Sequence, residues 1–368
     1  MESATDVFVI GGGPAGLAAA IAARQKGFCV TLADPVAPGA DKACGEGVMP
    51  EGVEALRALG VELGAGEARP FRGIRFLDSG LAAEARFTGG HGLGIRRTTL
   101  HRALAERAEA CGVRLLWRAR IAGITEDGVA LDGGIVRARW ICGADGRHSR
   151  VRRWAGLDWP GESAPRYGAR QHFHARPWSD CVEVYWGRES ELYVAAVGEA
   201  ELCIALISRV PGMRVEQALP AFPELAARLA GARPAGGGRG GVTSSLGLPR
   251  VHRGRVALVG DASGSLDAIT GQGLTQAFRQ AHALAAAMEA ENLERYETAH
   301  RRIRRRPAVM ARLLLALDGR PRLRARAMRI LSEEPRIFAR LLAAHTGAAS
   351  VVDCALGGLG LGLRLVTP

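Results

Sequence analysis

Apolar residues in this chain come as unbroken runs, as alternations and as helical faces, and their order predicts its elements. Val7-Phe8-Val9-Ile10 is a short β-branched run of the kind found in a strand buried on both sides. An alanine-rich stretch from Leu17 to Gln25 predicts a helix, and Phe28 to Ala33 predicts a second strand. Leu100 to Ala110 reads as a helix, Trp140 opens another strand, Val256 to Val259 is a further buried run, and Thr275 to Met288 is helical. Between these, Ile74 to Asp78 and Leu81 to Phe87 flank Ser79-Gly80 as a hairpin would. From Tyr167 to Ser208 the pattern alternates (Val182/Val184/Trp186, then Leu192/Val194, then Leu202 to Ile207), which predicts antiparallel strands. Gly231 to Gly241, GARPAGGGRGG, is expected to be a flexible loop, either a lid or a mobile connection. Residues 291–368 predict helices broken at Pro307, at Gly319-Arg320-Pro321 and at Pro335. Within them, Met310 to Leu317 and Arg336 to Leu342 combine arginines with aliphatic faces, and Asp353 and several glycines interrupt the apolar stretch Ala348 to Leu363.

Glycines give the first part its chemistry. Gly11-Gly12-Gly13-Pro14-Ala15-Gly16 stands between the first strand and the first helix, a GxGxxG in a strand–turn–helix setting. The first glycine permits the tight turn and the second lets a pyrophosphate approach the backbone. The third lets helix and strand pack closely, and the phosphate meets the positive end of the helix. Asp34 closes the second strand 23 residues after Gly11, where its carboxylate can accept hydrogen bonds from a ribose diol. These features point to a dinucleotide without separating FAD from NAD.

Composition narrows the setting. With 368 residues, 48% apolar and 23% charged, the chain has room for about two domains. Seven cysteines (29, 44, 111, 142, 181, 203 and 354) form no CxxC pair or metal-ligand spacing, as expected of reduced thiols in a cytoplasmic protein. No basic leader precedes the first strand, so no secretion signal is expected. Lys26 and Lys42 are the only lysines among 49 basic residues. From Arg295 to Arg340, fourteen arginines stand against four acids and carry most of the +12 net charge. Nucleic acid is not expected as a partner, because only Tyr296 and Phe338 offer stacking surfaces there. Peripheral association of the 295–340 segment with an anionic membrane is weighed against a helical cap on the nucleotide domain.

Two later segments complete a pattern. Trp140 to Arg153 reads WICGADGRHSRVRR, and Gly260 to Leu274 reads GDASGSLDAITGQGL. With the N-terminal GxGxxG, the Gly143–Arg150 "DG" segment and Gly260-Asp261 in that order, the sequence resembles the flavoprotein family of p-hydroxybenzoate hydroxylase-like monooxygenases and geranylgeranyl reductases. The resemblance covers roughly three quarters of the chain and implies FAD as cofactor. Asp261 would then bond the ribityl or ribose region. Arg97, beside the easily confused Arg96, would lie at the phosphates, and Ile121 would offer a backbone contact to adenine. Gly271-Gln272-Gly273 opens a helix whose N–H groups can face the flavin N1–C2=O edge, which a Cβ would hold away. The cofactor contacts expected are Gly11, Gly13, Pro14, Ala15, Gly16, Asp34, Cys44, Gly45, Arg97, Ile121, Asp145, Gly260, Asp261, Gly271, Gln272, Gly273 and Leu274, with no metal. The fold expected is α/β. A Rossmann-like FAD domain (1–70, 95–160, 250–290) carries an inserted antiparallel β-sheet substrate domain (71–94, 161–249) and a helical C-terminal region (291–368).

The reaction is less sharply marked. Cys44-Gly45-Glu46-Gly47 is similar to a Cys-Gly pair of geranylgeranyl-type reductases, and Cys44 and Glu46 are candidates for chemistry beside the flavin. His172 and His174 lie two apart on a predicted strand and are candidates for a substrate contact. Aromatic hydroxylases of the family carry GDAAH followed by a proline, whereas here Gly264 and Ala268 stand in those places, which draws toward the reductases. The YxWxFP-type segment of the reductases is also missing, with Glu191 to Ala196 in its place, which draws back. The first reading is an NAD(P)H-dependent monooxygenase. It would hydroxylate or epoxidise an apolar aromatic, polyketide-like or prenyl molecule through a flavin C4a-hydroperoxide. The second is a reductase of C=C bonds in a prenyl lipid. The third is a non-catalytic FAD-holding partner in another protein's maturation. No second nucleotide-binding unit is present, so NAD(P)H would bind transiently.

Overall fold

The computed structural model describes residues 3–349, so Cys354 and most of the Ala348–Leu363 stretch lie outside the described residues. Its first sheet has eight strands, and its central path runs His252–Arg253, Val256–Leu258, Gly134–Gly143, Ser3–Ile10, Val30–Asp34, Arg114–Trp117. The strand Ser3–Ile10 pairs in parallel with both neighbours, Val7 opposite Val30 and Val9 opposite Cys142. Its residues Val7, Phe8 and Val9 are wholly buried, which is why the run lacks alternation. The Pro14–Gln25 and Gly273–Glu289 helices share one apolar core on this sheet, with Leu17, Ile21, Phe278 and Leu284 in it.

The second sheet has seven strands in the order 233–243, 166–174, 201–208, 190–198, 182–186, 73–78, 81–86. All its pairs are antiparallel except 182–186 with 73–78, which run parallel and join two separated segments of sequence. The expected flexible loop at 231–241 is instead an edge strand, Arg233–Thr243, paired with Arg166–His174. Strand pairing uses backbone groups, which glycines keep, so a sequence without side-chain pattern still zips along an edge.

Helices Leu293–Asp318, Pro321–Glu333 and Pro335–His345 close the described part of the chain. The breaks at 319–320 and 334 fall as expected, but Pro307 does not interrupt its helix. Proline forfeits one backbone bond, and burial of Pro307 among Ile303 and Ala311 in the same helix holds the turn closed. The last two helices pack on the second sheet through Met328, Leu331, Ile337, Phe338 and Leu342, and an Arg324–Asp78 ion pair of 2.7 Å pins them there.

Candidate active site

One cleft of about 690 Å³ runs between the two sheets and the last three helices. At one end, backbone faces it. Gly11 has φ +111°, and a Cβ there would lie 2.4 Å from the Ala144 carbonyl oxygen. A Cβ on Gly16 would lie 1.8 Å from the Gly11 oxygen, so that glycine is fixed by helix–strand packing. Gly13 differs: nothing lies within 4 Å of where its Cβ would be, because its open side faces the cleft. Pro14 occupies the first turn of the helix that follows, where its missing N–H costs nothing. Asp34 lines the cleft and accepts from the amides of Gly12 (2.6 Å) and Val36 (2.7 Å), and Ile121 is part of the same lining.

Arg97 and Arg147 reach the same end. Arg97 Nε and Arg147 Nε and Nη1 are buried without a partner among the described residues. Buried guanidinium donors are costly unless an anion meets them. Arg96, the easily confused neighbour, turns away to His172 and Glu201. Asp145 lines the cleft but its carboxylate is occupied, accepting from Ser149 Oγ (2.5 Å) and from the amides of Arg150 (2.7 Å) and Val151 (3.2 Å). It therefore holds the loop that presents Arg147. Asp261 opens on the cleft, to which its side chain is exposed. Desolvation between the cleft's walls raises its carboxyl above the ordinary aspartate range, against the pull of Arg97 and Arg147.

In the middle, the helix Gly273–Glu289 begins at the cleft. Gly271 is left-handed (φ +61°), and Gly273 has nothing within 4 Å of its Cβ position. The Gln272 side chain is tied to His345 (3.2 Å), which lines the same cleft, so what Gln272 offers a ligand there is its backbone. Opposite, Cys44, Gly45 and Glu46 line the wall. The Cys44 sulfur accepts from the Glu46 amide (3.3 Å), and its own S–H has no acceptor among the described residues. Burial raises its pKa, so the thiol is held protonated.

Glu46 is buried with φ +56°, a strained conformation for a glutamate. Its Oε1 accepts from the Arg97 amide (2.9 Å), and its Oε2 meets His172 Nε2 at 2.6 Å. Arg96 and Arg170 both donate to His172 Nδ1, so the ring's hydrogen is on Nε2 and is given to Glu46. Cys203 lies within 4.8 Å of both Glu46 and His172, and its thiol donates to the Cys44 carbonyl at 3.8 Å. Glu46, His172 and Cys203 have metal-ligand types, but two guanidiniums on the imidazole make the spot a charge-paired knot bracing the Cys44 loop. The two candidate histidines thus part: His172 supports this knot from behind, while His174 is exposed at the end of its strand.

The far end is apolar, lined by Phe76, Val184 and Trp186 from the sheet and Met310, Leu314, Met328 and Phe338 from the helices. At its junction with the middle sits a network that the sequence did not single out. Tyr193 lines the cleft and donates to Glu191 Oε2 (2.6 Å). Arg166 bridges Glu191 (2.7 Å) and Asp267 (3.0 Å), with Asp318 at 3.8 Å. Burial lifts the Glu191 carboxyl to about 7, opposed chiefly by Arg166. A period-two pairing of Glu191 and Tyr193 was visible in the sequence, but not the partners 25 to 127 positions away.

The cleft fits FAD. The unpartnered guanidinium atoms of Arg97 and Arg147 could meet phosphate, Gly13 and Gly273 leave room for close backbone approach, and Asp34 could offer an acid to a ribose. Comparison with known proteins agrees: the "FAD binding domain" family matches residues 4–203. A menaquinone reductase of Mycobacterium tuberculosis is 32% identical over 174 residues, 44% of this chain and 43% of that protein, so the match spans less than half of the relative. A ubiquinone hydroxylase of Rhodospirillum rubrum is 28% identical over 317 residues, 78% of this chain and 73% of that protein. A geranylgeranyl bacteriochlorophyll reductase-like structure from Thermoplasma acidophilum superposes with TM-score 0.80 at 20% identity, covering 100% of this chain and 98% of that one, and shows a shared fold.

Proposed function

Since this chain belongs to the FAD binding domain family, we propose that it is an FAD-dependent oxidoreductase that reduces a carbon–carbon double bond in an apolar, isoprenoid-bearing lipid. The observation that carries this reading is Cys44, a protonated thiol facing the cleft with its hydrogen uncommitted. FAD held by Gly11–Gly16, Arg97, Arg147, Asp261 and Gly271–Leu274 supplies hydride chemistry, replenished by NAD(P)H binding transiently. Saturating an alkene also requires a proton. Tyr193 has already given its hydrogen bond to Glu191, so Cys44 is the free acid. Arg97 and Arg170 lower the pKa of Cys44 electrostatically, which stabilises the thiolate left after proton transfer until solvent reprotonates it. The Glu46–His172 knot fixes the thiol's loop. The apolar far end takes the isoprenoid, consistent with relatives named for menaquinone and ubiquinone.

Enzyme reduced without oxygen and mixed with a polyprenyl lipid should be reoxidised by it, and the saturated product should carry solvent deuterium when the reaction is run in D₂O. Cys44→Ala should slow that step by about 10²-fold or more with FAD retained. The second reading, a hydroxylase, is favoured by the longer match to the ubiquinone hydroxylase. Reoxidation that depends on oxygen, with an oxygen atom in the product, would replace the first reading by this one. No turnover under either condition would leave an FAD-holding partner protein.

A further inference from the structure

The last three described helices form a wall with two unlike sides. The inner side is the apolar lining already described. On the outer side, Arg302, Arg305, Arg312, Arg322, Arg329 and Arg336 are exposed, and among the described residues none has an acidic side chain within ion-pair distance. Between Arg302 and Arg340, Asp318 is buried, Glu334 is half-buried and Glu333 is the one exposed acid. The spacings explain the two sides: 302, 305 and 312 repeat on one face of the 293–318 helix, while Met310, Leu314 and Leu317 repeat on another. At their border stands Val309, 61% exposed, the most exposed large apolar side chain among the described residues. It lies one turn before Leu313, which lines the cleft. The two aromatic side chains of this region, Tyr296 and Phe338, are buried at 0% and 5% exposure, so the arginine face offers no stacking surface to a nucleic acid.

We infer that this arginine face docks on an anionic lipid bilayer, with Val309 entering the interface, so that lipid can pass from the membrane to the cleft along the border of the two sides. The cations supply long-range attraction to headgroups and the valine supplies apolar contact at the acyl boundary. Among the described residues no helix is long and apolar enough to cross a membrane, so the contact is a surface one. The docking holds whichever redox reaction the cleft performs, because it concerns the outer side of the wall, while the passage of lipid rests on the proposed lipid substrate.

The test uses the full-length, FAD-loaded protein and sedimentation with vesicles of phosphatidylcholine alone or mixed with phosphatidylglycerol. Binding is expected to the mixed vesicles only, and to weaken as salt rises. Replacing Arg302, Arg305 and Arg312 together by Gln should lower the partition coefficient on the order of 100-fold. Val309→Ser should lower it several-fold while leaving retention on a heparin column unchanged. FAD absorbance checks that the variants are folded. Equal binding to neutral vesicles, or an undiminished triple variant, overturns the inference. Tighter binding to duplex DNA than to mixed vesicles at the same salt overturns it in favour of nucleic acid. Loss of reductase activity on detergent-solubilised substrate bears on the reaction alone.

Discussion

The two ends of the cleft are built on opposite plans. At the nucleotide end the surface is backbone: amides and open glycines from three short segments, each set at the end of a strand or the start of a helix. At the apolar end the surface is side chain: rings and aliphatic groups from a sheet and three helices that meet only in three dimensions. A backbone surface cannot accept a Cβ where packing is tight, yet is indifferent to most changes nearby. A side-chain surface tolerates reshaping but loses stability with every atom removed.

Substitutions at both ends test that contrast. Gly16→Ala has the largest expected effect, because its Cβ would sit 1.8 Å from the Gly11 oxygen. Destabilisation should reach about 4 kcal/mol or more, read by chemical denaturation, and a wild-type midpoint would break the packing argument. Phe338→Ala removes a buried ring 5.3 Å from Phe76 and should cost about 3 kcal/mol with stoichiometric FAD retained. Loss of FAD in that variant would mean that the two ends are not independent. Gly13→Ala should leave the FAD-free protein within about 1 kcal/mol of wild type but weaken FAD about 100-fold, or roughly 2.7 kcal/mol. Fluorescence titration of FAD measures the second quantity, and an unchanged affinity would remove the close-approach role of Gly13.

The smallest effect is one of pH. Burial raises Glu191 from 4.5 to about 7 in the fold. An acid with a raised folded pKa stabilises while protonated, so its contribution is full below about pH 4 and fades as pH climbs through 7. Relative to wild type, Glu191→Gln should therefore gain stability between pH 5 and 8 by about 1–2 kcal/mol. Parallel stability curves over that range would show that Glu191 does not titrate there.

Much of the nucleotide end was legible because its determinants are local. Gly11, Gly13, Gly16 and Asp34 act within one strand–turn–helix–strand unit, and Gly271 and Gly273 within a few residues of a helix start. Arg97 rather than Arg96 followed from the family resemblance alone, since adjacent residues at a helix start differ only in direction. Cys44 had no visible partner because Cys203 arrives on a strand 159 positions later. His172 and His174 looked equivalent by periodicity, and only the Glu46 and arginine contacts separate them. The Gly231–Gly241 segment misled because glycine composition speaks for freedom, while an available sheet edge decides for pairing.

By itself the sequence determined the βαβ unit, the cofactor class and the cationic C-terminal helices, because apolar periodicity, turn chemistry and charge are properties of neighbouring residues. Only the tertiary structure decided that those helices wall the cleft, that Cys44 faces it as a protonated thiol, and that Glu46–His172 and Arg166–Glu191–Asp267 form buried knots. Those are facts of burial and of contact between distant segments, and desolvation of a charged group has no value until the fold has chosen its neighbours.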